Sequence, residues 1–172
     1  MSIAIGYVPG AFGQGGDDPD FLRQLVAGGD KYGYDSIWLS DRIVSQRFSL
    51  EPMMALSMVA AYSDTMKFGT SVLQVPIRNP VVLAKELATV DQMSGGRLIA
   101  GLALGGRPGD YQPLGGPSSR RVRHFLEGLQ VMKALWSQDE VDFDGVFWKL
   151  EGASQSPRPV QRHIPIWMGG RV

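Results

Sequence analysis

The chain contains no cysteine, so a disulfide scaffold and a cysteine-based metal site are excluded, and a reducing compartment is compatible. Its 17 basic and 17 acidic residues give a formal net charge of +0, which offers no electrostatic support for binding nucleic acid or an anionic membrane. No apolar run approaches the ~20 residues that cross a bilayer, and the first residues lack the pattern of a signal peptide. We therefore expect a soluble cytoplasmic protein with neither a nucleic-acid nor a membrane partner.

The chain has only two histidines, and neither lies in a recognisable catalytic or metal-binding pattern. His124 lies beside the apolar stripe of an amphipathic segment, which indicates a structural or surface position. His163 lies between prolines with no second ligand at metal spacing, so no metal is predicted. The chain also lacks a G-x-S-x-G motif, and a hydrolase triad is not indicated.

What the chain does contain is a regular alternation of short apolar runs and helical patterns. The 172 residues and the hydrophobic content of 44% suggest one packed domain, or part of a larger one. Residues 141–150 alternate around Asp144-Gly145 and predict a small β-hairpin, and residues 105–118 form a loop rich in glycine and proline. Apolar runs and 3.6-residue periodicity predict strands at 3–8, 36–39, 66–75, 98–104 and 164–168, and helices at 19–32, 51–62, 80–93 and 119–137.

Short hydrophobic strands separated by helices indicate an α/β fold with a parallel sheet covered by helices. Periodicity alone leaves two architectures open, an open doubly wound sheet and the first half of a (β/α)8 barrel. The segment after the first strand reads GYVPGAFGQGG, in which the glycines do not have the G-x-G-x-x-G spacing and no helix follows at once. This disfavours a dinucleotide-binding Rossmann domain and a flavodoxin-like electron carrier.

One stretch, residues 66–106, carries a specific resemblance. It reads MKFGTSVLQVPIRNPVVLAKELATVDQMSGGRLIAGLALGG, and it is accompanied by SIWLSD, GLQVMKALW and PIWMGG at other strand and helix ends. Together these segments resemble the luciferase-like oxidoreductases that use flavin or the deazaflavin coenzyme F420. The resemblance implies a TIM-type (β/α)8 barrel. This chain would supply about its first half, strands one to five, as a single domain over residues 1–172 with a hairpin insertion at 141–150.

The resemblance also implies function. It implies FMN or coenzyme F420 as the cofactor, and the transfer of hydride or activated oxygen to a small organic substrate. Active sites of such barrels lie at the carboxyl ends of the strands. The cofactor-binding positions that the resemblance implies are therefore strand ends, namely Asp41, Ser71, Val72, Gln74, Gly105, Gly106, Gly169 and Gly170.

Each of these positions has an implied role and an ordinary structural alternative. Asp41 would contact the cofactor ring, or else cap a turn. Ser71-Val72 would form a non-prolyl cis peptide that bulges behind the ring, or else an ordinary buried strand pair. Gln74 would hydrogen-bond the ring, or else be a solvated strand end. Gly169-Gly170 would let the cofactor approach where a Cβ would hinder it, or else form a simple turn.

No catalytic residue is predicted. Arg42 follows Asp41 at the position where related deazaflavin sugar-phosphate dehydrogenases carry a histidine that moves a proton. Gly105-Gly106 stand where some of those enzymes place a catalytic glutamate, and the nearest carboxylate, Asp110, comes four residues later. The resemblance without these groups favours oxygen chemistry or direct hydride transfer over acid-assisted dehydrogenation.

Members of the resembled family are about twice as long and hold the cofactor phosphate with loops after later strands. An open half-barrel would expose strand edges and an inner apolar face. We therefore expect a homo-oligomer rather than a free monomer. The alternative function is a non-catalytic half-barrel that serves as a cofactor-binding or assembly module.

Overall fold

The computed structural model describes residues 3–9, 18, 20–106, 108–117 and 119–170. Within this part strands and helices alternate as predicted. The strands are β1 (Gly6–Tyr7), β2 (Ser36–Leu39), β3 (Lys67–Thr70), β4 (Leu73–Gln74), β5 (Leu98–Ala103), β6 (Val141–Asp144), β7 (Lys149–Ala153) and β8 (Ile166–Gly169). The helices are α1 (Phe21–Tyr32), α2 (Pro52–Tyr62), α3 (Pro80–Met93) and α4 (Arg121–Ser137), with 3₁₀ turns at Val75–Ile77 and Pro108–Leu114.

The parallel sheet places its strands in the order in which the chain forms them. β1 pairs with β2, β2 with β3, both β3 and β4 with β5, and β5 with β8. A doubly wound sheet reverses its order at a switch point, whereas a barrel adds each strand beside the previous one. The helices α1 to α4 pack against one another in the same sequence. The strand order is therefore that of a (β/α)8 barrel, and the doubly wound alternative is wrong.

The predicted third strand, residues 66–75, is interrupted in its middle. It forms β3 and β4, which are separated at Ser71 and Val72, and the peptide bond between these two residues is cis. The Ser71 amide donates to the Leu39 carbonyl at 2.7 Å, so the interruption stays attached to the end of β2. The predicted cis bulge is confirmed.

The starts of α2 and α3 are explained by the residues that cap them. Asn79 precedes α3, and its side-chain oxygen accepts the amides of Val81 and Val82. Glu51 precedes α2 and accepts the amide of Met54 at 2.9 Å. In both helices a proline follows the cap, where its fixed φ fits and its missing N–H does no harm.

Some apolar residues of the helices are exposed. Val122 and Leu126 of α4 are 57% and 49% exposed. They lie one turn apart on a face beside the stripe that packs inward through Phe125 and Met132. In α2 nearly every position is apolar, so periodicity could not show that Met54 and its neighbour Met58 face outward.

Smaller differences concern element ends. The hairpin predicted at 141–150 is present as β6 and β7, but β7 continues to Ala153. The loop predicted at 105–118 contains a 3₁₀ helix that buries Tyr111. The segment GYVPGAFGQGG falls largely outside the described residues. None of the helices in the described part of the chain combines the length and apolarity that a membrane span requires.

Candidate functional site

Three adjoining cavities open at the carboxyl ends of β2, β4, β5 and β8. Their volumes are about 400, 190 and 580 Å³. Ser71 and Val72 line the first and the second, and Gly105 and Gly106 line the first and the third. Gly169 lines the second and the third. We call these three spaces together the strand-end cleft.

All the residues predicted to contact a cofactor line the strand-end cleft. They come from four separate strand ends, which the parallel sheet brings to one edge. Contact with a cofactor itself stays a prediction for each of them. The first cavity holds Asp41, Ser71, Val72, Gln74, Gly105 and Gly106, and the other two hold Gly169 and Gly170.

Asp41 is held by protein donors on both carboxylate oxygens. Its Oδ2 accepts the backbone amide of Gln74 at 2.9 Å, and its Oδ1 accepts Nη2 of Arg78 at 3.1 Å. The side chain is 0% exposed. The carboxylate therefore fixes the backbone of Gln74, which lines the first cavity. A direct contact between Asp41 and a cofactor ring would have to be made alongside these bonds.

Gln74 bridges two strand ends with its side-chain amide. Nε2 donates to the Asp41 carbonyl at 3.2 Å, and Oε1 accepts the Gly106 amide at 3.3 Å. The orientation is determined, because a carbonyl only accepts and a backbone N–H only donates. Gly105 has φ of +87°, and a Cβ there would lie 2.5 Å from Oε1 of Gln74. Glycine at 105 thus suits both the backbone and the bridge.

The third cavity is bounded by an arginine that the sequence did not indicate as a site residue. Nη1 of Arg121 donates to the Gly106 carbonyl at 3.0 Å and to the Tyr111 hydroxyl at 3.1 Å. The guanidinium also lies 5.2 Å from the centre of the Tyr111 ring. Tyr111 in turn donates to the Leu104 carbonyl. These contacts fix the loop after β5 against the start of α4.

Two further residues near the cleft, Arg78 and Glu51, were not predicted from the sequence. Nη2 of Arg78 donates to Glu51 Oε1 at 3.0 Å as well as to Asp41. Both residues lie next to helix starts: Glu51 caps α2, and Arg78 precedes Asn79, which caps α3. Helices of a barrel begin at the carboxyl ends of its strands, so charged residues at such starts are the signal that could have found them.

Few groups in the cleft can carry charge. Among the described residues that line it, these are Asp41, Arg42 and Arg121, and Arg42 is exposed. The side chain of Asp110 lies outside the described residues. In the part of the chain that the structure covers, no group of three or more histidine and carboxylate side chains could hold a metal ion.

His124 lies outside the cleft, against the hairpin. Its ring centre is 4.9 Å from that of Phe147 and 5.3 Å from that of Trp148. Burial lowers the pKa of His124, and the nearby Glu127 carboxylate only partly opposes this shift. The structural position expected for His124 is therefore observed.

Comparison with known proteins gives a consistent picture. Residues 1–171 match the family described as luciferase-like monooxygenase. An F420-dependent glucose-6-phosphate dehydrogenase of Kineococcus radiotolerans is 31% identical over 157 residues, 87% of this chain and 46% of that protein. An FMNH(2)-dependent dimethylsulfone monooxygenase of Pseudomonas putida is 32% identical over 163 residues, 89% of this chain and 44% of that protein.

A solved structure shows the same fold. An F420-dependent secondary alcohol dehydrogenase in complex with an F420-acetone adduct superposes with a TM-score of 0.82 at 24% identity. The superposition covers 99% of this chain and 53% of that one. The chain thus spans about half the length of these relatives. Since the family match extends over residues 1–171, the chain belongs to the luciferase-like monooxygenase family.

Proposed function

We propose that this chain is the cofactor-binding part of an oxidoreductase that uses FMN or coenzyme F420. Its reaction would transfer hydride or activated oxygen to a small organic substrate. The observation that carries this proposal is the meeting of four strand ends around the strand-end cleft. The relatives named above, one F420-dependent and one FMNH(2)-dependent, support the two cofactors.

The bound cofactor would supply the redox chemistry, and the chain would hold and orient it. Val72 and Ala103 offer an apolar surface for a flat ring, since both line the first cavity. Gln74 offers a polar edge whose orientation is determined by its two protein bonds. The Gly169-Gly170 backbone offers an approach free of side chains.

The charges in the cleft favour direct transfer over acid-assisted dehydrogenation. Both oxygens of Asp41 already accept protein hydrogen bonds. The two arginines, Arg42 and Arg121, carry guanidinium groups, which donate hydrogen bonds but are poor general acids. Among the described lining residues there is no further acidic or basic side chain. The chain's contribution to the reaction is therefore geometry, exclusion of water and hydrogen bonding to the ring edge.

Gly170→Ala is expected to weaken cofactor binding about tenfold while leaving thermal stability unchanged. An added Cβ at this position meets nothing within 4 Å, so the protein tolerates it. A ring or chain that lies against this backbone would be displaced by the new methyl group. Fluorescence titration of the full chain with FMN and with coenzyme F420 measures the affinity, and circular dichroism measures the melting temperature.

The matched control is Gly28→Ala, which also adds a Cβ with nothing within 4 Å, but on α1, away from the cleft. It is expected to keep the affinity of the unsubstituted chain. Equal affinities in all three proteins would mean that the cofactor does not approach Gly170. Failure of the unsubstituted chain to bind either cofactor would rule out the cofactor proposal itself.

A second candidate function is a non-catalytic assembly module. The observation that favours it is the apolar surface at β8, where Trp167 is 57% and Met168 is 65% exposed. Trp167 stacks on Trp38 with ring centres 4.6 Å apart, so this surface continues the inner face of the sheet. We propose that a second copy of this chain covers this face in a homo-oligomer.

Two measurements separate the candidate functions. Native mass spectrometry of the full chain, incubated with FMN and coenzyme F420 together, reports the oligomeric state and any bound cofactor. Assemblies without cofactor uptake would favour the module, whereas turnover that depends on either cofactor would argue against it. A monodisperse, cofactor-free monomer would contradict both.

A further inference from the structure

We propose that Arg78 is a positioning residue of the strand-end cleft. It holds Asp41 in place, and Asp41 in turn holds Gln74, which lines the first cavity. Arg78 is not among the described residues that line the three cavities of the cleft. It lies behind them and borders a separate cavity of about 310 Å³. It would therefore act on a bound molecule only through other residues. The inference rests on the proposed function for its binding readout, whereas its first test needs no cofactor.

The buried carboxylate of Asp41 depends on Arg78 for its charge balance. Its side chain is 0% exposed, and a carboxylate removed from water requires a partner. Within the described part of the chain, Arg78 is the one cation within ion-pair distance of Asp41, at 3.1 Å. Without Arg78 the buried carboxylate would lose its cation and would be expected to turn toward water in the cleft. That movement weakens or removes its bond to the Gln74 amide.

Arg78 contacts two carboxylates and acts electrostatically on a third. Nη2 donates to Asp41 and also to Glu51 Oε1 at 3.0 Å, whose other oxygen caps α2. Glu86 is also near: burial raises its pKa, and the positive charge of Arg78 opposes that rise. A single cation thus joins the carboxylates of Asp41, after β2, and Glu51, before α2, and its charge also acts on Glu86 in α3.

The influence of Arg78 reaches the cleft through Asp41 and Gln74. Asp41 accepts the Gln74 amide with Oδ2 and the Gln74 side chain with its carbonyl. Gln74 in turn accepts the Gly106 amide. A displaced Asp41 therefore releases Gln74 from the end of β2, and the bridge to Gly106 loses its anchor. The polar edge offered to a ring depends on an arginine behind it.

The test begins with NMR spectra of the ¹⁵N-labelled, cofactor-free full chain. Arg78→Met is expected to move the backbone and side-chain amide resonances of Gln74 and the backbone resonance of Gly106. Arg78→Lys is expected to leave them near their original positions, because a single nitrogen makes both contacts and an ammonium can replace it. The control Arg158→Met removes an exposed ion pair with Asp139 and should move neither residue.

A second variant pair keeps the test decisive if Arg78→Met does not fold. Asp41→Asn removes the buried charge while keeping an oxygen that can accept the Gln74 amide. If Arg78 acts through Asp41, adding Arg78→Met to Asp41→Asn should yield a folded protein and move the Gln74 resonances little further. A Gln74 shift between Asp41→Asn and the double variant that exceeds the shift between the unsubstituted chain and Asp41→Asn, or unfolding of the double variant, would overturn the proposal.

The binding readout separates this inference from the proposed function. Arg78→Met is expected to lower the affinity for FMN or coenzyme F420 at least about tenfold, with Arg78→Lys recovering most of it. If the Gln74 resonances move but the unsubstituted chain binds neither cofactor, the proposed function fails and the positioning role stands. If the chain binds a cofactor and folded Arg78→Met binds it equally, with Gln74 unmoved, the positioning role is overturned and the function stands.

Discussion

Gly101→Ala is expected to be the most damaging single-methyl change in this protein. A Cβ at residue 101, on β5, would lie 1.8 Å from the carbonyl oxygen of Thr70, on β3. The obstacle is backbone, so no side-chain rotation relieves it. The hydroxyl of Thr70 also donates to the Gly101 carbonyl at 2.6 Å, and this bond holds the two strands at their present distance. Overpacking usually costs 1–3 kcal/mol, and we expect about 4 kcal/mol or more here.

Urea unfolding followed by circular dichroism checks this expectation. A domain of ordinary stability, 5–15 kcal/mol, would lose a large part of it or fail to fold. Gly28→Ala is the control with the opposite sign, since its Cβ meets nothing within 4 Å and α1 should gain about 0.5–1 kcal/mol. A Gly101→Ala protein with the same urea midpoint as the unsubstituted chain would show that β3 and β5 can move apart freely.

The close approach at Gly101 also shapes the candidate site. Gly101 and Thr70 line the second cavity together with Trp38. A similar approach occurs at Gly69, where a Cβ would lie 2.3 Å from the Ile99 carbonyl oxygen. Glycines on both strands therefore allow β3 and β5 to lie close together just before the cis bulge. The residues that determine the strand spacing are the ones next to the cleft.

Most helices and strands could be predicted from the sequence, because apolar periodicity and capping residues determine them over a few neighbouring positions. The bounds of α3, Pro80–Met93, agree with the prediction, since an Asn-Pro start and a Ser-Gly-Gly end mark them. The break between β3 and β4 came from the resemblance, because the residue pattern of 66–75 is that of one continuous strand. Strand order required the structure, since periodicity says which residues form a strand and not which strands pair.

The site was predictable where strand ends define it and unpredictable where distant contacts do. Gln74 ends β4 and Asp41 lies two residues beyond β2, so the resemblance could place them at one edge. Arg78 and Asp41 are 37 residues apart, and no local pattern indicates that their side chains meet. Arg121 and Gly106 are 15 positions apart, and no local pattern indicates their contact either. Contacts that join separate elements become visible only once the chain is folded.

Glu127 is a further contact of this kind, and its replacement by alanine is expected to destabilise the protein by about 3 kcal/mol. Although it is charged, Glu127 is only 7% exposed within α4. Its two carboxylate oxygens accept the backbone amides of Val146 at 2.6 Å and Phe147 at 2.7 Å, at the turn of the hairpin. Hydrogen bonds to a charged group contribute about 1.5–3 kcal/mol each, and water can partly replace the carboxylate at this turn. Urea unfolding at pH 7 measures the loss.

The stabilisation by Glu127 should also depend on pH, with a sign that its surroundings determine. Burial is the largest single influence and raises the pKa of Glu127, but the amides of Val146 and Phe147, together with the charge of Arg123, outweigh it and lower the pKa. As pH falls, the unfolded chain therefore binds this proton first. The contribution is complete above the unfolded pKa of about 4.3 and is lost as pH falls through the lower folded value.

The stability difference between the unsubstituted chain and Glu127→Gln should thus be constant near neutral pH and shrink below about pH 4. Glu151→Gln, at an exposed position on the same hairpin, should show little difference at any pH. A Glu127→Gln difference that persists unchanged at acid pH would mean that the side chain stabilises the hairpin by packing rather than through its charge.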